Sequence, residues 1–359
     1  MDLVLETPGT RLGKRKDMLK ISVPNRDYVE LPFREIESII VGNGVQITSQ
    51  ALKILSSYAV NIVYTSLGNP YGIYTPFANN GTVFTRRQQL LAYEDWRGLH
   101  LGTKFVYATI ENKRRLLMYF AKNRKKTDPK KHRKLRFAAD FIKEMLENLE
   151  KFSKTIHKGE KIHHRRRELM GIEGRATAIY FREFGSLMPK KYKTFKRSRR
   201  PPKDPVNSLL SLGYTVLLGH VTTAIASAGL ELYGGFLHSD RSGKPSLALD
   251  LLEEFRQPVI DRFIARLFQK AQVQEDDFEN SIHGYRLKDE KKSFFYKELK
   301  KEIVGGDLSQ ELFGAEPNIK KDEKAVKLNF KKQMIKQSRK LANFLIGATS
   351  SYEPFIMNW

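Results

Sequence analysis

Three carboxylates and one histidine lie where the surrounding sequence is apolar or rich in glycine. Glu173 lies between two glycines in GIEGRATAIYF, and Asp250 and Glu253 lie in the run SLALDLLEEF. His238 ends the glycine-led segment GGFLH. Carboxylate oxygens are preferred ligands of Mg²⁺ and Mn²⁺, and Mn²⁺ also accepts an imidazole. These residues could therefore form a metal site that polarises a phosphate and activates a nucleophile.

Spacing alone leaves two interpretations of these residues open. Asp250 and Glu253 are three positions apart and share one face of a helix, but a solvent-exposed acidic stripe has the same spacing. Glu254 fits such a stripe better, paired with Arg256. A single histidine is more often a hydrogen-bonding residue than a ligand, and Glu173 could be a surface residue beside a helix irregularity. A metal site and an acidic stripe are equally compatible with the pattern.

The charge of the chain predicts a polyanionic partner. Its 359 residues include 64 Lys and Arg against 40 Asp and Glu, a formal net charge of +24. Such an excess attracts nucleic acid first and anionic membranes second. The absence of cysteine excludes disulfides, thiol nucleophiles and zinc–thiolate sites. Any metal must therefore be held by Asp, Glu, His or water.

Two basic runs are candidates for contact with a nucleic-acid backbone. Residues 122–136 and 190–203 are dense in Lys and Arg and nearly free of acids. Such runs bind phosphates, although solvated loops and tethers have the same composition. The individual basic residues that we select as DNA-binding candidates are Lys196, Arg197, Arg199, Arg200, Arg86 and Arg87.

The elements that must position these residues divide into two kinds. Residues 1–85 contain short β-branched runs such as LKISV, ESIIV and VNIVYTS, bounded by Gly, Pro and Asn, which is typical of strands. Thr48 or Ser49 could cap one short helix among them. From about residue 86 the period is helical, and we predict helices at about 163–186, 205–229, 245–272 and 325–346.

The predicted fold class is α+β, with a small N-terminal β domain at 1–85, a linker at 86–96 and a larger all-α domain at 97–359. Residues 206–230 carry no formal charge, but polar side chains interrupt them, so we expect a buried core helix rather than a membrane span. The first residues lack the apolar segment of a signal peptide. We therefore expect a soluble, cytoplasmic protein with no membrane partner.

Four central motifs resemble the CRISPR-associated integrase, the catalytic protein of spacer acquisition. They are GIEGRATAIYF, RRPPKDPVNSLLSLGYTVL, AGLELYGGFLH and SLALDLLEEFRQPVID. The segment KQSRKLANFLIGATSSYEPFIMNW is similar to the C-terminal helix and tail of that family, and GVQITSQALKILSSYAVNIVY to its N-terminal domain. The resemblance covers nearly the whole chain, and the motifs occur in the order of the family.

The resemblance implies an architecture and a set of partners. The N-terminal domain would be β-sandwich-like and would form a homodimer, and the helical domain would be catalytic. Two such dimers would flank a dimer of a small ferredoxin-like companion protein. The DNA partners would be a duplex with 3′ overhangs and the CRISPR repeat. Each 3′-OH would attack a repeat strand by transesterification, which needs no ATP, and the sequence has no phosphate-binding GxxxxGK[ST] loop.

The resemblance also implies roles for individual residues. Glu173, His238 and Glu253 match the metal-binding triad, which would hold Mg²⁺ or Mn²⁺, and Asp250 matches a second acid near the metal. Metal at this site would polarise the phosphate and lower the pKa of the attacking hydroxyl.

Further residues near these motifs are candidates for DNA contact. Asn207 and Tyr214 match the NxLLxxGY motif, with helix capping and core packing as their alternatives. Arg175 could neutralise charge in the transition state or pair with Glu173. The remaining candidates, which could hold phosphates or order water, are Lys244, Ser246 and Tyr180.

One segment departs from the family, and two other functions remain open. Residues 122–165 are longer and more basic than the family pattern, and they could bind extra DNA, bind the companion protein or only extend a helical hairpin. A related transposon integrase, the casposase, shares the catalytic domain but commonly carries a further C-terminal helix-turn-helix domain. A non-catalytic DNA-binding scaffold is the third possibility.

Overall fold

The β-branched runs near the start of the chain form two four-stranded sheets. The computed structural model describes residues 2–5, 7–36, 38–66, 69–77, 82–157, 159–189, 197–198, 201–282, 284–305 and 328–359. One sheet has the order β1-β5-β7-β8 and the other has the order β4-β3-β2-β6. The strands are β1 Asp2–Leu5, β2 Arg11–Arg15, β3 Met18–Ser22, β4 Val29–Pro32, β5 Ser38–Val41, β6 Gln46–Ile47, β7 Asn61–Ser66 and β8 Asn69–Tyr74.

A short helix and alternating apolar residues close the N-terminal core. Helix α1, Ser49–Ser57, begins after Thr48, whose hydroxyl accepts a hydrogen bond from the Ala51 backbone N–H at 3.3 Å. This satisfies one of the unpaired donors in the first turn and confirms the predicted cap. Leu55 of α1 is fully buried in one apolar cluster with residues of both sheets, including Leu12 and Ile39.

The rest of the chain is mostly helical, so the α+β prediction is confirmed. One two-stranded hairpin, β9 Phe278–Ser281 and β10 Gly284–Leu287, interrupts what we predicted to be all-α. The helices are α2 Thr82–Ala92, α3 Trp96–Lys122, α4 Pro129–Lys154, α5 Ile162–Gly185, α6 Pro205–Ser227, α7 Ser246–Leu252, α8 Arg262–Gln269, α9 Asp289–Val304 and α10 Phe330–Leu345.

The helix predicted at 245–272 is broken in the middle. Helix α7 ends at Leu252, and a π-helical turn, Arg256–Asp261, precedes α8. Pro258 lies inside this turn; because proline has no N–H, it removes one α-helical hydrogen bond and crowds the preceding turn. Turns of π-helix are frequent at functional sites, and this one follows Glu253 closely.

The basic segment 122–165 forms one arm of a helical hairpin. Helix α4 begins at Pro129, and the Asp128 carboxylate accepts a hydrogen bond from the Lys131 backbone N–H at 2.9 Å. Proline suits this first helical position because its missing N–H would have no partner there. The buried side of α4, which includes Leu135 and Ile142, packs against α3 and α5.

Helix α6 is a buried helix of the helical part. Within the described residues it is long and apolar enough to cross a membrane, but 67% of its most apolar window is buried inside the protein. It therefore forms the buried core helix that we expected. The side-chain amide of Asn61 in β7 donates to the Ala226 carbonyl of α6 at 3.3 Å, which links the β part to the helical part.

The apolar residues form two cores. One buried cluster extends from Leu3 to Ile62, and the other extends from Ala92 to Tyr352. Helix α2 occupies residues 86–92 of the segment that we assigned to a linker. The division into domains at 1–85 and 97–359 stays a prediction.

Candidate active site

Glu173 lies on α5 with its carboxylate held by a buried lysine. Lys113 of α3 donates to Glu173 Oε1 at 2.6 Å, and the Thr177 hydroxyl donates to the same oxygen. Burial raises the pKa of Glu173, but the charge and hydrogen bond of Lys113, aided by Thr177 and Arg256, outweigh it and hold the pKa below its usual value. The carboxylate is therefore ionised at neutral pH.

The two glycines that flank Glu173 face open space. Gly171 and Gly174 are exposed, and apart from the adjacent residues and the backbone of α5 itself no heavy atom of the described residues lies within 4 Å of where a Cβ would stand at either position. Nothing in the chain itself makes these residues small. The surface beside Glu173 is accordingly open to a bound molecule.

Arg175 does not pair with Glu173, because the two lie about 200° apart around the helix. It is exposed on α5, and the cation that pairs with Glu173 is Lys113. The predicted pairing is therefore wrong, and Arg175 is left facing solvent. No feature of the sequence indicated that Lys113, in the basic stretch IENKRRLL, would turn inward and be 3% exposed.

Asp250 and His238 form a hydrogen-bonded pair. The Nδ1 atom of His238 lies 2.7 Å from Asp250 Oδ1. The fully buried Asp250 carboxylate also accepts three backbone N–H groups, those of Phe236, Leu237 and His238, at 2.6, 3.0 and 2.8 Å. Because Nδ1 donates to the carboxylate, the neutral ring presents the lone pair of Nε2 outward.

This arrangement separates the roles of the two residues. Four N–H groups use the oxygens of Asp250, so this acid lies behind the imidazole and fixes both the ring and the loop. His238 is 22% exposed at its side chain and can reach a ligand with Nε2. The pair matches the common arrangement in which a carboxylate orients a metal-binding histidine.

Lys244 and Ser246 stabilise the loop that follows His238. The Lys244 ammonium and the Ser246 hydroxyl both donate to the Ser239 carbonyl, at 3.3 and 3.1 Å. Ser246 is fully buried, so its predicted contact with phosphate is wrong, because the hydroxyl is enclosed by the start of α7. At Gly235 a Cβ would meet the Ser246 backbone at 2.6 Å, which explains the glycine.

Glu253 and Glu254 point in different directions from the end of α7. Arg256 Nη1 pairs with Glu253 Oε1 at 2.6 Å. Glu254 is fully buried and accepts hydrogen bonds from the Tyr352 hydroxyl at 2.6 Å and the Phe355 N–H at 2.7 Å. The expectation that Glu254 is exposed and pairs with Arg256 is therefore wrong.

Burial raises the pKa of Glu254 to about 7, against the lowering effect of its hydrogen-bond donors. The acid holds residues 352–355 against the segment that carries Glu253. The sequence did not predict that Glu254 is buried. Helix α7 ends between Leu252 and Arg256, and this break, rather than a regular helical period, determines the directions in which Glu253 and Glu254 point.

Asp261 is a buried acid that the sequence reasoning missed. It accepts hydrogen bonds from the hydroxyls of Tyr180, at 2.7 Å, and Tyr214, at 2.5 Å. Burial raises its pKa to about 6, although both tyrosines and Arg256 act in the opposite direction. Its apolar surroundings in QPVIDRF are the same signal that drew attention to Asp250, so it could have been found.

The two tyrosines support this buried acid. Tyr180 is fully buried, so its predicted contact with phosphate is wrong. Tyr214 is partly buried, and the guanidinium groups of Arg256 and Arg197 lie 4.9 and 5.6 Å from its ring centre. Burial, followed by the charge of Asp261, raises the pKa of both tyrosines, so both hydroxyls stay protonated.

Asn207 connects α6 to the basic run before it. Its side-chain oxygen accepts from Arg197 Nη1 at 2.9 Å and from the Ser198 N–H at 3.0 Å. Its amide donates to Asp204, and Asp204 is the residue that caps α6. Asn207 is fully buried, so it positions Arg197 rather than contacting a ligand itself.

Two of the remaining basic candidates lie on α2. Arg86 is partly buried and Arg87 is exposed, both on α2. The candidates Lys196, Arg199 and Arg200 lie outside the described residues.

The donor types fit a divalent cation, but the donors are not gathered around one point. Glu173 and Glu253 supply carboxylate oxygens and His238 supplies Nε2. Across the described ranges, no group of three or more His, Asp or Glu side chains is close enough to hold an ion. Each carboxylate is instead balanced by a cation of the chain, Lys113 or Arg256.

Comparisons of sequence place the chain among known proteins. A profile of the family described as CRISPR associated protein Cas1 matches residues 3–301. The CRISPR-associated endonuclease Cas1 1 of Archaeoglobus fulgidus is 29% identical over 365 residues, which covers 100% of both chains. The CRISPR-associated endonuclease Cas1 3 of Thermus thermophilus is 31% identical over 354 residues, 96% of this chain and 93% of the relative.

Solved structures share the fold. A chain in a structure described as a partial Cas6-RT-Cas1–Cas2 complex superposes with a TM-score of 0.73 at 21% identity, covering 100% of this chain and 99% of that one. A casposase bound to integration product superposes with a TM-score of 0.69 at 21% identity, covering 100% of both chains. Together with the sequence matches, these confirm the resemblance that the motifs indicated.

Proposed function

Since the chain belongs to the Cas1 family of CRISPR-associated proteins, we propose that it is a metal-dependent DNA endonuclease and integrase. In this proposal it inserts short duplex DNA into a CRISPR array, as part of antiviral adaptive defence. The 3′-OH of the incoming strand attacks a phosphodiester of the repeat and displaces another 3′-OH. One phosphodiester forms as one breaks, so no energy donor is consumed.

The observation that carries the proposal is the orientation of His238 by Asp250. A fully buried carboxylate that takes four N–H groups fixes one ring tautomer, which leaves Nε2 free to bind a ligand. Glu173, Glu253 and His238 Nε2 are the groups that would hold Mg²⁺ or Mn²⁺. When bound, the ion supplies charge stabilisation on the phosphate oxygens and lowers the pKa of the attacking hydroxyl.

The chain's own residues prepare the site in three ways. Asp250 holds the imidazole in the tautomer that leaves Nε2 unprotonated. Lys113 keeps Glu173 ionised and in place through the 2.6 Å contact. Arg256 lies between Glu253 and the Tyr214 ring. In this proposal its positive charge is near the bound phosphate and stabilises the negative charge that develops on the phosphate oxygens in the transition state.

The proposed partners follow from the charge of the chain and from its relatives. The DNA would be a duplex with 3′ overhangs together with repeat DNA. A small ferredoxin-like companion would bridge two homodimers of this chain. The structure described as a partial Cas6-RT-Cas1–Cas2 complex supports assembly with a Cas2 protein. The cytoplasm, where the DNA is located, is the proposed location.

A casposase-type transposon integrase is the second candidate. The observation that favours it is the likeness to a casposase over the full length of both chains. The chemistry would be the same, and the target DNA would differ. Efficient joining to a plasmid without a CRISPR repeat would favour this candidate.

A strand-joining assay tests the proposed function. The substrates are a pre-processed duplex with 3′ overhangs and a supercoiled plasmid that carries a leader and repeat. Glu173→Gln and Glu253→Gln should each lower joining by about 100-fold or more, while duplex binding stays within about twofold. Glu150→Gln is the matched control, because Glu150 is exposed and its ion-pair partner among the described residues is Lys154.

Metal removal gives the second arm of this assay. EDTA should abolish joining, and Mn²⁺ or Mg²⁺ should restore it. Joining by the purified protein in EDTA, or full joining by both glutamine variants, would show that the protein uses another mechanism. Duplex binding without strand joining in either metal would show that it is a scaffold.

A further inference from the structure

A basic cavity lies between the C-terminal half of α3, the start of α4 and the last residues of the chain. Its volume is about 590 Å³, within the range of about 300–1,000 Å³ that small-ligand sites occupy. None of the candidate catalytic residues lines it. It therefore has no part in the active site described above.

The cavity carries a large excess of positive charge. Among the described residues, the Lys and Arg side chains that line it are Arg114, Arg115, Lys122, Lys125 and Arg136. Arg114 and Arg115 share a single acid, Glu111, at 2.7 and 2.5 Å. The other three are exposed, and none of them has an acidic partner within the part of the chain that the structure describes. Unpaired cations around a cavity favour an anion with several oxygens, such as a phosphodiester.

Two aromatic side chains form one wall of the cavity. The rings of Tyr119 and Trp359 are 5.7 Å apart and tilted by 34°, and both residues are only partly buried. The indole N–H of Trp359 is buried and has no hydrogen-bond partner among the described residues. Since a buried indole N–H usually finds an acceptor, this donor indicates a bound group that carries one.

We propose that this cavity binds an unpaired nucleotide of a DNA strand, with phosphates on the lysines and arginines and the base against Tyr119 and Trp359. Cations that follow a backbone, combined with aromatic rings that stack on bases, are typical of single-strand binding. An acidic protein segment would satisfy the cations but would leave the rings and the indole N–H unused. The inference rests on the proposed action on DNA, and it assigns a role to the basic segment 122–136.

Tryptophan fluorescence tests this proposal directly, because the chain has two tryptophans, Trp96 and Trp359. Trp96 is 54% exposed, so Trp96→Phe leaves the full chain folded with Trp359 as its one indole. Titration with 5′-phosphorylated hexathymidylate should quench this fluorescence in a saturable way. A hexaglutamate peptide at the same concentration should not quench it.

Two triple variants that remove the same charge, both made in the Trp96→Phe protein, test whether the oligonucleotide binds at the cavity. Lys122→Gln, Lys125→Gln and Arg136→Gln together should weaken oligonucleotide binding by about tenfold or more. They should also reduce the slope of log K against log salt by about 2, roughly 0.7 for each phosphate contact. The control triple, Lys126→Gln, Lys130→Gln and Arg133→Gln, removes the same charge from the same run outside the cavity and should stay within about twofold.

Three results would overturn the proposal: no quenching by the oligonucleotide, equal losses in the two triple variants, or equal quenching by hexaglutamate, which would make the site one for acidic protein. Failure of the proposed function has a different signature. In that case the wild type does not join strands, but the oligonucleotide still quenches Trp359 fluorescence and the cavity variants still weaken this effect. If only the cavity proposal fails, strand joining is intact, and fluorescence quenching by the oligonucleotide does not depend on Lys122, Lys125 and Arg136.

Discussion

At the scale of single residues, buried acids of the helical part have separate tasks that depend on their hydrogen-bond partners. Asp250 is fully buried and orients His238, and Asp261 is fully buried and holds two tyrosines. Glu173 and Glu253 instead lie beside cations at the candidate metal site. The partner of each acid, rather than its spacing in the sequence, decides which acid can meet a ligand.

Asp250→Asn should separate orientation from folding. The amide keeps the shape of the side chain but cannot accept all four N–H groups, so the ring of His238 loses its fixed tautomer. We expect strand joining to fall by about 10–100-fold, the usual effect of losing the acid behind a metal-binding histidine. Near-ultraviolet circular dichroism checks that the fold is retained. Full joining activity in a folded variant would contradict the orienting role.

Asp261 should make the stability of the protein depend on pH. Its pKa is 3.8 when unperturbed and about 6 in the folded protein, so the folded state binds the proton more tightly than the unfolded state. Stability from this group is present below pH 3.8 and is lost as the pH rises to about 6. The free energy of unfolding of the wild type, relative to Asp261→Asn, should fall by about 3 kcal/mol between pH 3.5 and 7. Urea unfolding of both proteins at both pH values measures this fall. If the difference in free energy of unfolding between wild type and variant is the same at both pH values, the pKa of Asp261 is not raised.

At the scale of elements, the helical periods predicted α5, α6 and α10, and a break in one further predicted helix shapes the candidate site. Predicted helices at 163–186 and 205–229 agree with α5 and α6 within two residues. The helix predicted at 245–272 breaks around Pro258, and this break turns Glu254 into the core. Pro258 was visible in the sequence, so the break could have been predicted.

Other features of the site depend on tertiary contacts that no local pattern encodes. Lys113 is a buried cation because α5 brings Glu173 against α3. The segment 351–359 packs near α7 because Glu254 accepts its Tyr352 hydroxyl and Phe355 N–H. Both contacts join residues at least 60 positions apart, beyond the reach of periodicity.

Tyr352→Phe tests the attachment of segment 351–359. The change removes the hydroxyl that donates to the buried Glu254 carboxyl at 2.6 Å and leaves that acid with one fewer donor. Because an unsatisfied buried group costs about 1–3 kcal/mol, the free energy of unfolding should fall by about that amount in chemical denaturation. Tyr233→Phe, at a residue that is 51% exposed, is the control and should leave stability unchanged. Equal stability of the two variants would show that the hydrogen bond between Tyr352 and Glu254 does not hold segment 351–359 in place.

At the scale of the whole molecule, basic residues outnumber acids, and the acids of the candidate site are buried or paired with cations. The net charge of +24 favours binding along a nucleic-acid backbone, and in the proposed function the acids near α5 and α7 would supply the groups for chemistry on it. Composition predicted the affinity for a polyanion, and the motifs predicted which residues would form the site. The way Glu173, His238 and Glu253 would meet at one ion stays a prediction.

Binding of Mn²⁺ to the full chain tests that central claim most directly. Electron paramagnetic resonance of free Mn²⁺ gives the stoichiometry and affinity without any dependence on strand joining. We predict one ion per chain for the wild type. Affinity should fall by about tenfold or more in each of Glu173→Gln, His238→Ala and Glu253→Gln, with Glu150→Gln unchanged. Equal Mn²⁺ binding by the wild type and all three site variants would contradict the account.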